Sequence, residues 1–301
     1  MRWLLAGASG FMGTALRVRL AEQGHEVRRL VRRKPATATE FGWNPDAGTL
    51  DPAALAGVEA VVCLSGASVA PRPWTRRRRE LLRSSRVQPN AALARALADL
   101  PEPQRPSVYI SASGIAVYGT TSGSLPHTED SPPASDFLAQ AVVDWEAAAR
   151  PAAEAGVRVV HLRTSPVLHR SGGAFAAMRL AWSAGLGAQL GDGRQRMPLV
   201  SLEDYLQVVG WVAGRAEATG PYNLTLSEPV TNGQFSRALA RRLRRPCVLV
   251  APAPLLRAAL GELSEQLLGD MHVVPARLRT EGYRFVAPDV HSTIETALAP
   301  A

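Results

Sequence analysis

Lysine is almost missing from this chain. Of its 34 lysines and arginines, only Lys34 is a lysine, so chemistry that needs an ammonium group elsewhere is excluded. Cysteine is as scarce. Cys63 and Cys247 each stand next to a valine or leucine, which excludes a disulfide framework. Both are read as buried free thiols, the usual setting of unpaired cysteine, in a cytoplasmic compartment. The six histidines are scattered, no pair has metal-ligand spacing, and no metal is expected. No apolar run is long enough to cross a membrane, and the N-terminus reads as lacking a secretory signal. There is no P-loop and no G-x-S-x-G elbow.

The charge that is present is mostly arginine, for a formal net of +8. Its densest run is Arg76-Arg77-Arg78-Arg79, followed by Glu80, Arg83 and Arg86. Leu81, Leu82 and Val87 interleave at helical spacing, so the run reads as the solvated face of a helix opened by Thr75. No nucleic-acid motif or interleaved aromatic accompanies it, and no nucleic-acid partner is expected.

Strand-like and helix-like patterns alternate through the first half. Arg2 to Ala6, Glu26 to Val31, Ala60 to Leu64, Val108 to Ile110 and Val157 to Leu162 read as strands. Helical patterns cover Phe11 to Leu20, Trp74 to Leu97 and Phe137 to Ala153. The near-continuous apolar run Ala60-Val61-Val62-Cys63-Leu64 is that of a strand buried on both faces. This alternation predicts an α/β fold with a doubly wound, Rossmann-like parallel sheet. A smaller, mostly helical C-terminal lobe on the substrate side follows. Residues 1–170 are assigned to the dinucleotide-binding domain, with 196–245 packing back on it. Residues 171–195 and 246–301 are assigned to the small lobe.

The most informative segment is Gly7-Ala8-Ser9-Gly10-Phe11-Met12-Gly13, set between a strand and a helix. Glycines there let the backbone approach a ligand closely. The helix start offers unpaired N–H groups and a positive dipole end to a pyrophosphate. The second strand runs into Arg32-Arg33-Lys34, where an acidic residue would grip a ribose 2′-hydroxyl. A cationic cluster instead suits a 2′-phosphate, so the cofactor expected is NADP(H).

Together with Leu64-Ser65-Gly66-Ala67 and Ser111-Ala112-Ser113-Gly114-Ile115-Ala116-Val117-Tyr118-Gly119, this motif resembles the extended short-chain dehydrogenase/reductases of the epimerase/dehydratase group. Several further pieces resemble a subgroup with a small C-terminal domain. They are Trp74, Ser85-Arg86, Asp144-Trp145-Glu146, Arg163-Thr164, Gly172-Gly173, Gly191-Asp192-Gly193-Arg194-Gln195, Leu260-Gly261-Glu262, Val274-Pro275 and Gly282-Tyr283-Arg284-Phe285. The resemblance implies that Gly7, Ser9, Gly10, Phe11 and Met12 hold the pyrophosphate, and that Arg32 and Arg33 take the 2′-phosphate. It also implies that Leu64, Ser65 and Gly66 border the adenosine ribose and diphosphate. Ser111, Ala112 and Ser113 would flank the nicotinamide ribose, and Ser165 to Val167 would lie against the nicotinamide ring.

The superfamily's proton relay is a tyrosine with a lysine four residues later. Free tyrosine titrates near pH 10, and the neighbouring ammonium brings it into working range. The residues four after the five tyrosines are Ser113, Ser122, Val209, Leu226 and Ala287. By resemblance, Phe137 or Leu138 occupies the tyrosine's place and Ala141 or Val142 the lysine's. The remaining catalytic candidates are Ser113, to polarise a carbonyl, and Tyr118, to donate a proton. Arg163, Arg194 and Gln195 are the candidates for gripping a small polar or anionic substrate. The chain thus reads as an NADP(H)-binding oxidoreductase or epimerase-like protein, a monomer or homodimer without membrane contact. The alternative is a catalytically degenerate NADPH-binding sensor or scaffold.

Overall fold

The computed structural model describes residues 1–69, 74–120, 123 and 125–299. Strands β1 (Arg2–Ala6), β2 (Glu26–Val31), β3 (Glu40–Asn44), β4 (Thr49–Leu50), β5 (Ala60–Cys63), β6 (Val108–Gly114) and β7 (Arg158–Thr164) build its main sheet with a later strand. Short strands β8 (Val167–Leu168), β9 (Ala188–Leu190) and β10 (Val200–Ser201) precede that strand, β11 (Gly220–Leu224), and β12 (Leu249–Ala251) follows it. The eight-stranded order is β11-β7-β6-β5-β1-β2-β3-β4, parallel except for the β3–β4 pair. Parallel strands covered on both faces must be apolar throughout. Every residue of β5 is buried, as are the first six of β6.

Eleven α-helices are found among the described residues. They are α1 (Phe11–Glu22), α2 (Arg76–Ala98), α3 (Phe137–Ala147), α4 (Arg150–Glu154), α5 (Gly173–Ser183) and α6 (Leu202–Ala213). Then come α7 (Asn232–Leu243), α8 (Ala253–Leu260), α9 (Leu263–Leu268), α10 (Ala276–Thr280) and α11 (Val290–Leu298). One core joins Trp3, Leu5, Val62 and Ile110 to Leu16 and Leu20 of α1 and Tyr205 and Val209 of α6. The opposite face packs Leu4, Val61 and Tyr109 against Leu93 and Leu97 of α2. Ligands of such folds bind at the C-terminal ends of the strands.

Packing interleaves the two lobes. β9 pairs with β12, joining the two chain segments assigned to the small lobe. α7, expected with the sheet, shares a cluster with Phe175 and Trp182 of α5 and Ile294 of α11. Leu278 and Tyr283, expected in the small lobe, sit in the main core. Asp204 is the anchor there. Its carboxylate accepts bonds from Tyr283 Oη (3.1 Å), Val286 N–H (2.8 Å) and Ala287 N–H (3.1 Å).

The helix expected over Phe137 to Ala153 is two helices, because Pro151 cannot continue the hydrogen-bond ladder and opens α4 instead. Gly261, which holds φ 55°, separates α8 from α9. Of the two cysteines, Cys63 is fully buried and its thiol is pushed up to about 11 by that burial. Cys247 is only half-buried.

Candidate functional site: a glycine cradle beside a buried ion-pair network

Strand β1 ends at Ala6 and the chain turns at Gly7, whose φ of 78° only glycine adopts freely. A Cβ on Gly7 would lie 2.7 Å from the carbonyl carbon of Leu64 and 2.9 Å from Ser65 N. The two loops after β1 and β5 touch backbone to backbone. Gly13 has no more room, since a Cβ there would drive into the Gly7 carbonyl oxygen and lie 2.8 Å from Ala8 Cα. Gly10 is the N-cap of α1. No side chain caps that helix and no acid sits in its first turn. The N–H groups at its start are therefore left to a ligand, under an uncompensated positive dipole end. Ser9 and Gly10 are exposed at this mouth, and Phe11 and Met12 are half-buried beneath it.

At the neighbouring end of β2, the cations divide. The Arg33 guanidinium is held by Glu40 in two bonds of 2.6 and 2.8 Å. With the Ala36 N–H, it holds the Glu40 carboxyl down to about 2. Arg32 and Lys34 are exposed, and among the described residues neither side chain is engaged. Arg33 is thus engaged by Glu40, which it shares with Arg29 at 3.1 Å, although its side chain remains 58% exposed.

The arginine run of α2 is a seam more than a solvated face. Arg76 and Arg77 are exposed as expected. Arg79 stacks over Phe137 at 5.3 Å, Arg83 pairs with Asp144 at 2.6 Å, and Arg86 stacks over Trp145 at 5.3 Å. Residues three, four and seven apart share one helix face, so this stripe zips α2 to α3. Arg79 also pairs with Glu262, tying the seam to the small lobe. Arg86 donates to the carbonyls of Leu82 (2.9 Å) and Ala67 (3.0 Å), bracing the loop after β5. Burial, with Arg78 nearby, depresses its guanidinium to about 10.

Beside the cradle, the ends of β6, β7 and β11 carry a buried polar network. Arg163 meets Glu146 through Nε (2.8 Å) and Nη2 (2.9 Å), a fork on fork between β7 and α3. Ser113 Oγ donates to Glu146 Oε1 at 2.6 Å. Arg163 Nη1 donates to Tyr118 Oη at 2.8 Å and to the Glu129 carbonyl at 3.1 Å. Tyr118 Oη donates in turn to Asn223 Oδ1 at 2.8 Å, and its ring stacks on His127 at 5.1 Å. Glu129 accepts from the backbone N–H groups of Asn223 (3.0 Å) and Arg277 (3.3 Å). Burial alone would raise the Glu146 carboxyl, but Arg163 outweighs it and leaves Glu146 below its usual range. Burial raises the Tyr118 hydroxyl in spite of Arg163, and raises Glu129. Burial also lowers His161, whose Nδ1 has no partner among the described residues.

The other candidates separate. Ser111 is fully buried and faces α2, its Oγ accepting from Asn90 Nδ2 at 2.8 Å. Ala112 is buried on the opposite face of β6. Ser165 is buried with its hydroxyl on the Leu224 carbonyl at 2.7 Å, while Val167 is half-buried against the main core. Leu64 and Ser65 are half-buried and Gly66 is exposed at the cradle. Gln195 is buried and donates to the carbonyls of Leu190 (3.1 Å) and Leu267 (3.3 Å). Arg194 is exposed, with its backbone N–H on Asp192. Arg163, Gln195 and Arg194 have no hydrogen-bond partner in common among those described. Asn223 and the role of Glu146 were not anticipated. Glu146 had a signal in the Asp144-Trp145-Glu146 motif, whereas Asn223 lies 94 positions from its partner Glu129 and carried none.

Residues 3–225 match the model of the NAD dependent epimerase/dehydratase family, and residues 251–298 match a domain of unknown function, DUF1731. The chain belongs to the NAD dependent epimerase/dehydratase family. Among family members, it is 41% identical to epimerase family protein Mb2239 of Mycobacterium bovis, covering 99% of this chain and 96% of that one. It is 34% identical to epimerase family protein SDR39U1 of Bos taurus, over 99% of this chain and all of that one. The crystal structure of the human protein SDR39U1 with NADPH superimposes with a TM-score of 0.89 at 28% identity, covering 99% of both chains. The doubly wound sheet expected from the sequence is therefore the family's fold, and the C-terminal segment is a domain that this subgroup shares.

Proposed function

We propose that the cradle at Gly7, Gly10 and Gly13 holds NADP(H). On this reading the protein acts as an oxidoreductase or epimerase-like enzyme on a small polar or anionic substrate, without a tyrosine–lysine couple. The observation that carries the reading is the uncapped start of α1 under Gly7 and Gly13, neither of which has room for a Cβ, beside the exposed Arg32 and Lys34. A diphosphate fits that donor set, and a 2′-phosphate fits Arg32 and Lys34. The human SDR39U1 structure with NADPH supports the same occupant.

The cofactor, when bound, supplies hydride transfer. The chain's own part is placement. Backbone N–H groups at the start of α1 bind phosphate oxygens, and Leu64 to Gly66 border the ribose at the backbone-to-backbone contact with Gly7. Ser165 and Val167 form a wall whose hydroxyl is turned inward, and Ser111 supports β6 from behind. Ser113, Tyr118 and Arg163 then act as struts. Each donates to or accepts from a neighbour inside the network, and a hydroxyl raised by burial is a poor proton donor at neutral pH. Phe137 and Ala141 on α3 supply no replacement. Proton transfer is accordingly assigned to solvent or to a substrate-borne group.

That same consumption of Ser113, Tyr118 and Arg163 favours a second reading, a cofactor-responsive binding protein. Titration of the purified protein with NADPH and NADH, followed by a panel of carbonyl substrates, separates the possibilities. Tight NADPH uptake with oxidation on some carbonyl supports the enzyme. Uptake without turnover on any of them supports the binding protein. No uptake refutes both.

A further inference from the structure

Phe11 is the first residue of α1, and its backbone N–H is among those left for the diphosphate. Its ring does not point into solvent. It stacks on His169 at 6.1 Å and lies flush against Gly172, the N-cap of α5. A Cβ built on Gly172 would collide with the ring, 2.6 Å from Cγ and 2.8 Å from Cε2, and closer still to Cδ2. Cγ is one bond from the Phe11 Cβ, so the ring cannot yield there by a swing of its far edge. Either its rotamer changes or the backbone of one partner moves. Gly172 itself is extended, with φ −165°, a conformation open to any residue. Space, not backbone angle, is what requires glycine here. Gly173 follows with φ 65° and lies 3.7 Å from Phe11 Cε1 by the same construction.

We infer that Gly172 is a positioning residue for the phosphate loop. Its missing side chain seats the Phe11 ring, and the seated ring aims the first N–H groups of α1. The first turn of the small lobe's helix α5 and the cradle then form one clasp, so the lobe that covers the strand ends also sets the cofactor's phosphate donors. This rests on the reading that the cradle binds NADP(H).

The test is a binding cycle with NADPH as the probe, read by fluorescence titration together with urea unfolding. Gly172→Ala is expected to weaken NADPH about tenfold, the equivalent of one misaimed charged hydrogen bond. Its unfolding midpoint should fall modestly, as overpacking against the ring requires, with the protein still folded under the conditions of the titration. Phe11→Ala, which removes Cγ and the whole ring and so frees the space beside Gly172, should make the two substitutions non-additive. Adding Gly172→Ala to Phe11→Ala should cost little further affinity. Wild-type affinity in Gly172→Ala, or an equal additional loss in the Phe11→Ala background, overturns the positioning role while leaving NADPH binding in place. Absence of NADPH binding by the wild type overturns the cofactor reading and the inference with it.

Discussion

Arg163→Met is the sharpest perturbation of the network. Arg163 and Glu146 are about nine-tenths and six-sevenths buried, with side-chain exposures of 10% and 15%. Removing the guanidinium strands the Glu146 carboxylate in a low-dielectric site with only Ser113 Oγ as a donor. It also deletes the bonds to Tyr118 and the Glu129 carbonyl. Breaking one side of a buried pair costs about 3–5 kcal/mol. At about 2 °C per kcal/mol for a chain of this size, the melting temperature should fall by roughly 6–10 °C. Replacing both partners, as Arg163→Met with Glu146→Leu, should cost less than the single change, since no charge is left uncompensated. The pH dependence has a definite sign. The folded-state Glu146 carboxyl lies below its usual range, so its stabilisation is present above the unfolded value of about 4.3 and is lost as pH falls through the folded value. Glu146→Gln should therefore flatten the acid limb of stability. Differential scanning calorimetry between pH 3 and 8 (about the range where carboxylates titrate) reads all of this. A single Arg163→Met that melts within about 1 °C of wild type would refute the strut assignment.

Ser113→Ala should lower stability by about 1.5–3 kcal/mol, the worth of a hydrogen bond to a charged group, while NADPH affinity stays unchanged. A loss of affinity with intact stability would return Ser113 to the cofactor site. Arg32→Ala should weaken NADPH about tenfold or more and leave NADH unaffected. Arg33→Ala should do much less, because Glu40 already occupies that guanidinium; isothermal titration with both cofactors decides. Asp204→Ala should unfasten the segment around Tyr283 and Ala287. The expected signs are a loss of about 3 kcal/mol or more in urea unfolding and early proteolysis near the C-terminus.

Much of the fold was legible because parallel strands and amphipathic helices write their periods locally. Val61 and Val62 could only be a doubly covered strand. The short strands β3, β4, β8, β9, β10 and β12 were not legible. They span two to five residues, too few to show a period, and β8 with β10 and β9 with β12 pair only across the chain with an equally short strand. Helix α11 was also missed, though its Asp289 N-cap is bonded to the His291 and Ser292 N–H groups. The cradle could be located from glycine spacing alone. The division of labour between Arg32 and Arg33 could not, since it depends on Glu40 arriving from the adjacent strand. Likewise, nothing local in Arg79, Arg83 and Arg86 distinguishes a solvated stripe from a seam. The aromatic and acidic partners on α3 make the difference. The partners of the catalytic candidates were hidden for the same reason. Ser113 and Tyr118 stand where reactive groups would stand, but Glu146, Asn223 and Arg163, distant in sequence, engage them.

Direct calorimetric titration of the folded protein with NADPH tests the central claim. One equivalent should be taken up per chain, at least about tenfold more tightly than NADH, as expected where cations await a 2′-phosphate. Heatless injection, or equal affinity for the two cofactors, would contradict it.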